Sequence, residues 1–308
     1  RNISKNMRGV RRLKKIIKRH SVWINKNWGN RGLSEESLLN DLASTGLKKG
    51  DHVMIHSSLS SIGVVNQGAN TVIRALKKYI TKDGQIVMPA FIGSNMLNYI
   101  ENYQIWDAKS SPSYNGKITE CFRKSEEVIR SLHPTHSLSA WGNRAHEFVS
   151  GHENGITPFD EKTPYRKLIT NNYKILFIGL DLFSMTLCRA GDDYVDNYPV
   201  NPYLDKIYEV PIKDFNGRKL IVKTKCHNPI MSERRRNMFL FPLLKDKMHI
   251  GRLGRAHTIL LEAKDVINAQ EELTRSGKTV YGTPEDFLNF DDMIESYNNF
   301  IKKSLKTV

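Results

Sequence analysis

Four stretches of this sequence gather the residue types that do chemistry. The first, GDHVMIHSSLSSIGVVNQGA over residues 50–69, sets His56, Ser57, Ser58 and Leu59 at the end of an apolar run and Gly68 at the start of a helical pattern. Hydroxyls, free backbone N–H groups and a helix N-terminus in one place make a cradle for a pyrophosphate. The alternative is an ordinary serine-rich strand-to-helix connection. The second, RSLHPTHSLSAWG over 130–142, flanks a Pro-Thr pair with His133 and His136 and opens on Arg130 and Ser131. A histidine near its neutral pKa takes a proton from an attacking amine or hydroxyl. An arginine holds a phosphate or orients a carbonyl. Either histidine can equally be a structural hydrogen-bonding group.

The third stretch, GLDLFSMTLCRAGDDYVDN over 179–197, carries Asp192, Asp193 and Asp196 just after an apolar strand, where α/β folds place their sites. These carboxylates can orient a histidine, bind an amino group or simply sit at a helix N-terminus. Cys188 in the same stretch reads as a buried, inert thiol rather than a nucleophile. In the fourth, GRLGRAHTILLEAKDV over 251–266, two glycines are expected to lead into a helix. They permit tight turns or a close approach of backbone to ligand.

The elements that must hold these residues follow from periodicity. A helix is expected from the cap Ser34 to about Thr45, stopped by Gly46. HVMIHSSL reads as a strand, 68–80 as a helix and QIVMPAF as the next strand. A helix over 116–126, a strand LSAWG, a helix over 143–150 and a central strand YKILFIGL follow. IYEVPIKDFNGRKLIVKTKC reads as a hairpin turned by Asn216-Gly217 in type I′ geometry. Helices are expected over 256–273 and 284–305. The strand–helix–strand alternation argues for an α/β fold with parallel pairing.

Composition narrows the class. With 308 residues, 39% of them hydrophobic, the chain can bury a sizeable core. Its three cysteines, Cys121, Cys188 and Cys226, are scattered, so no zinc or other metal site and no disulfide framework is expected. No apolar run is long enough for a membrane span or a signal peptide, and a cytoplasmic location is expected. The net charge of +15 is uneven: residues 1–31 hold eleven Lys or Arg and no Asp or Glu, which leaves the rest near balance. Residues 1–31 therefore read as a separate basic amphipathic helix and 32–308 as the main domain. That segment can pack on the body, dock on a protein partner or lie on an anionic membrane surface. Charge confined to a tail argues against a whole-domain nucleic-acid binder.

Taken in order, GDHVMIHSSLSSIG, QIVMPAF, SPSYNGKITECFR, RSLHPTHSLSAWG, TPYRKL, KILFIGL and GRLGRA resemble the aminoglycoside 3-N-acetyltransferase family over roughly residues 37–270. The resemblance implies a three-layer α/β/α sandwich with a mixed central sheet, and acetyl-coenzyme A as co-substrate. It implies direct transfer to an amine on a small-molecule or glycan acceptor, and it is compatible with a homodimer. His56, Ser57, Ser58, Leu59, Val65 and Gly68 match the donor-binding loop, and Arg130, Ser131 and His133 match the segment after it. The family carries a Thr, a His three residues on and a Glu three further; the ungapped match here gives Thr186, Arg189 and Asp192.

The histidine expected as general base is thus an arginine, which stays protonated. The expectation is that His136 removes the amine proton with help from Asp192, His133 being the other candidate. Thr186, Arg189 or a backbone N–H then steadies the oxyanion. A shifted register, or a degenerate member that binds coenzyme A without turnover, are the other readings of the substitution. A hydroxyl acceptor on a surface glycan is the alternative chemistry. The balanced body fits a nucleotide-linked or lipid-linked amino sugar, or an anionic polysaccharide, better than a polycation.

Overall fold

Ser34 caps the first helix of the computed structural model, which describes residues 32–93, 95–102, 105–283 and 285–308. The basic segment 1–31, with its expected helix, lies outside the described residues. Ser34 Oγ accepts the N–H of Ser37 at 3.1 Å, and the helix Glu35–Leu42 tightens into a 3-10 turn, Ala43–Thr45. Gly46 ends it at a φ of 80°, the left-handed conformation that glycine adopts without strain.

The strands are β1 (His52–Ser57), β2 (Gln85–Pro89), β3 (Trp106–Asp107), β4 (Ile129–Arg130), β5 (Leu138–Trp141), β6 (Lys174–Ile178), β7 (Tyr203–Lys213), β8 (Lys219–His227), β9 (His249–Leu253) and β10 (Ala256–Glu262). Seven form one sheet in the order β4-β5-β2-β1-β6-β10-β9. β1 runs parallel to β2 and β6, and the outer pairings are antiparallel. The sheet is mixed, as the family resemblance implies. A second sheet, β3-β7-β8, stands apart.

Side chains that alternate along the central strands feed two cores. Val53 and Ile55 of β1 join Ile86, Met88, Leu176 and Ile178 on one face. Met54, Val87, Ile175 and Phe177 point to the other. The first face is covered by the helices Glu35–Leu42, Ala69–Ile80 and Lys117–Arg123 through Leu38, Leu42, Val72, Leu76, Ile118 and Phe122. The second is covered by Ala145–Val149, Pro164–Thr170, Ala263–Arg275 and Phe290–Ser304. Each fully buried Leu or Ile in these layers contributes about 1.5–3 kcal/mol. Among the described residues no helix is long and apolar enough to cross a membrane.

Two local expectations are corrected. Residues 256–262 are strand β10, and the helix begins only at Ala263. Ile259 and Leu261 face one core and Ala256 and Leu260 the other, so both faces are buried and the apolar run carries no strand alternation. The glycines of GRLGRA therefore lead into a strand; Gly254 turns β9 into β10 at a φ of 57°, where a Cβ would come 2.6 Å from the Ile62 carbonyl oxygen. The hairpin turn is not type I′. Only Gly217, at a φ of 81°, is left-handed, and the Gly217 N–H donates to the Asp214 carbonyl at 3.1 Å. Asp214 Oδ1 accepts the N–H groups of Asn216 and Arg218, which pulls the turn into a longer loop.

Candidate active site

The parallel strands β1, β2 and β6 end side by side, and a cavity of about 1160 Å³ opens at their carboxyl ends. This is where open α/β sheets bind ligands. His56, Ser57, Ser58, Leu59, Val65 and Gly68, the six residues named from the first motif, all line it, with Lys117 and Arg255 supplying positive charge. His56 Nε2 and Ser57 Oγ are buried with no hydrogen-bond partner. Burial holds the His56 imidazole down at about 4, so it is neutral. Ser61 Oγ donates to Ser58 Oγ at 2.9 Å and lies 3.2 Å from the Gly179 carbonyl, just past the end of β6. The helix Ala69–Ile80 starts at Gly68 with no side-chain cap, which leaves its first N–H groups without a side-chain acceptor. A Cβ on Gly68 would project into open space, at a φ of 62°.

A second cavity of about 980 Å³ adjoins the first, and Tyr114, Asn115, Ser184 and Thr186 line both. Thr186 therefore stands at the junction. Arg189, Arg235 and His227 border the second cavity, with the exposed Glu101 and Glu233 also on its lining. Arg189 makes no hydrogen bond or ion pair among the described residues. Burial, then the charge of Arg235, lowers its pKa to about 10, so the guanidinium stays cationic at neutral pH.

Asp192 sits behind this wall with its side chain fully covered. One oxygen, Oδ2, accepts the Tyr281 hydroxyl and lies 3.9 Å from His227 Nε2; the other, Oδ1, has no partner. Burial pushes the carboxyl up to about 7 against the pull of Tyr281, Arg235 and Arg189. Burial and the same two arginines hold His227 well below the ordinary histidine value, so its ring is neutral. Asp193 points elsewhere: its carboxylate accepts the hydroxyls of Thr157 and Tyr203. The Cys188 thiol is buried and pushed up to about 12, which makes it inert.

The histidine motif does not reach either cavity. His133 is stacked on His152 at 4.5 Å, and its Nδ1 lies 3.2 Å from the His136 N–H. His136 is 2% exposed, packed among Phe91, Phe159 and His227, with Nδ1 2.9 Å from Thr135 Oγ1. Burial holds both rings neutral. Arg130 and Ser131, expected at the donor, are structural instead. Arg130 donates to Ser137 Oγ at 2.9 Å and to the carbonyls of Ser111 and Ala90, and it stacks 4.8 Å above Trp106. Ser131 Oγ bonds His152 Nδ1 at 2.7 Å and accepts the Leu138 N–H at 2.8 Å. Buried hydrogen bonds use up the polar groups of Arg130 and Ser131, and His136 Nε2 is left buried without a partner. His227 and Arg235 were not legible as site residues: one ends a hairpin strand and the other follows a short helix, and neither stands in a chemical motif.

The model of the family described as aminoglycoside 3-N-acetyltransferase matches residues 54–275. An SPbeta prophage-derived aminoglycoside N(3')-acetyltransferase-like protein, YokD, of Bacillus subtilis is 38% identical over 52% of this chain. That match spans 64% of the relative, less than two thirds of its length. Aminoglycoside N(3)-acetyltransferase IX of Micromonospora chalcea is 29% identical over 61% of this chain and 70% of its own. The crystal structure of the Bacillus subtilis YokD protein superposes with a TM-score of 0.66 at 27% identity, covering 79% of this chain and 93% of that one. AAC-IIIb bound to CoASH gives a TM-score of 0.67 at 23% identity, covering 82% and 100%, and so shares the fold. With the family model spanning most of the sequence and the paired cavities at the strand ends, this chain belongs to the aminoglycoside 3-N-acetyltransferase family.

Proposed function

We propose that this chain transfers the acetyl group of acetyl-coenzyme A to an amine on an amino sugar or aminoglycoside-like acceptor. The observation that carries this is the meeting of two cavities at Thr186, one suited to a phosphate-bearing donor and the other to a polar acceptor. The first fits coenzyme A on three counts: two buried polar atoms lack partners, a helix start lacks a cap, and Lys117 and Arg255 can meet phosphates. A relative of the same fold is known in complex with CoASH. Acetyl-coenzyme A would supply an activated thioester carbonyl, placed at the junction.

The chain's own groups then divide the work. Thr186 and the cationic Arg189 flank the junction and stabilise negative charge on the thioester oxygen; losing one such donor costs about 10²–10³ in kcat. His227 replaces the missing family histidine as proton acceptor, from a different strand. Its ring is neutral, it borders the acceptor cavity, and Asp192 lies behind it to receive the resulting positive charge.

The test is mass spectrometry of amino-sugar acceptors incubated with acetyl-coenzyme A. A mass gain of one acetyl group that survives mild base supports amide formation. A gain that mild base removes moves the reaction to a hydroxyl, and no gain with any acceptor contradicts the proposal.

A further inference from the structure

The wall of the acceptor cavity carries more positive charge than amine transfer alone requires. Arg189 has no hydrogen bond or ion pair among the described residues, although it is partly buried. Among the described residues the Arg235 guanidinium donates one long hydrogen bond, to the Met185 carbonyl at 3.3 Å, and its buried Nη1 has no partner. The two charges act on each other across the same wall. A buried guanidinium without an acceptor is costly to leave unsatisfied. The acidic residues nearby offset this charge only in part: Asp192 attracts both guanidinium groups but pairs with neither and is engaged by Tyr281, and Glu101 and Glu233 are exposed. A polycation would meet two positive charges on the cavity lining.

We infer that the acceptor carries an anionic group, a carboxylate or a phosphate ester, which Arg189 and Arg235 bind together beside the reacting amine. This rests on the second cavity being the acceptor site. Arginine is suited to the task because its planar fork meets carboxylate and phosphate oxygens two at a time. The anion then orients the sugar so that its amine faces Thr186. The substrate class is an acidic amino sugar, either a uronate or a sugar phosphate.

Isothermal titration of the whole chain, saturated with coenzyme A, tests this with four probes: glucosamine, glucosamine 6-phosphate, 2-amino-2-deoxyglucuronate and sisomicin. At least one anionic sugar should bind about tenfold or more tightly than glucosamine, and sisomicin should bind most weakly. The phosphate and uronate arms identify which anion the site takes. Arg235→Gln should reduce that preference to about twofold or less, and Arg235→Lys, which keeps the charge, should retain part of it. Both variants are checked by thermal melting for a native transition. Equal affinity for all sugars, no binding of any, or tighter binding of sisomicin overturns the inference. The preceding coenzyme A titration reads the donor site separately: its failure would remove the transferase reading, whereas anion selectivity is read from the sugar arms.

Discussion

His227 Nε2 lies 3.9 Å from Asp192 Oδ2, a covered histidine–carboxylate pair that also feels the charge of Arg189. Asp192 comes from the motif itself, on the short helix Gly191–Tyr194, whereas His227 arrives from the end of β8. In the proposed mechanism this histidine, distant in sequence, does the work that Arg189 cannot.

His227→Gln should lower kcat by about 10²-fold or more while the coenzyme A dissociation constant stays within about twofold. His136→Gln should chiefly lower the melting temperature, since that ring lines neither cavity. Steady-state kinetics beside a thermal melt separates the two; a kinetic loss confined to His136→Gln would return the base to that residue.

Gly68 is a backbone position at which the proposed donor site can be tested. A Cβ there meets no protein atom, so a larger side chain would occupy the space left for the ligand, and its φ of 62° disfavours any other residue. Gly68→Val should weaken coenzyme A binding by about tenfold or more, measured by titration. Unchanged affinity would show that the coenzyme does not run along the helix start.

Arg130 tests the opposite case. It is 2% exposed and satisfied by Ser137, Ser111 and Ala90. Arg130→Met should cost about 3 kcal/mol of stability by chemical denaturation, because Ser137 Oγ and the Ser111 carbonyl lose the guanidinium and Ala90 keeps just the Ser137 hydroxyl. Coenzyme A affinity of the folded variant should not change. A selective loss of affinity would put Arg130 back in the donor site.

Stability should fall steeply in acid. His56 is held at about 4 and His152 at about 3, and His133, His136 and His227 also lie well below 6.5, in each case mainly through burial. Each ring is neutral in the folded chain and takes up a proton only on unfolding, so their contribution is present above 6.5 and is lost as pH falls. Five such groups approach a slope of about 7 kcal/mol per pH unit, enough to unfold a domain of ordinary stability by about pH 5. Asp192 acts with the other sign. Its carboxyl is raised from 3.8 to about 7, so ionisation disfavours the fold as pH rises through that window. Denaturation curves from pH 4.5 to 8 should show the acid loss in the native chain and a steeper loss in Asp192→Asn, which lacks the opposing carboxyl. A midpoint independent of pH down to 4.5 would contradict the buried, neutral histidines.

Much of the fold was legible because its signals are local. The Ser34 cap, the Gly46 stop and the apolar β1, β2 and β6 all form where periodicity placed them. β10 was misread as helix because a strand buried on both faces carries no alternation to mark it. In the site, the serine loop was legible because its donors belong to one turn. Arg130, Ser131, His133 and His136 have site-like chemistry, but tertiary hydrogen bonds and ring packing consume it. No sequence spacing reports such contacts. Thr186, Arg189 and Asp192 came from the family motif; His227 and Arg235 needed the fold to bring β8 and the helix after it against that motif.

The most direct test of the whole account is a crystal structure with bound coenzyme A. The account predicts that the phosphates lie along Ser58 and Gly68 and that the sulfur reaches the junction beside Thr186, facing Arg189. A coenzyme bound outside this cavity, or one whose sulfur points away from Thr186, would contradict it.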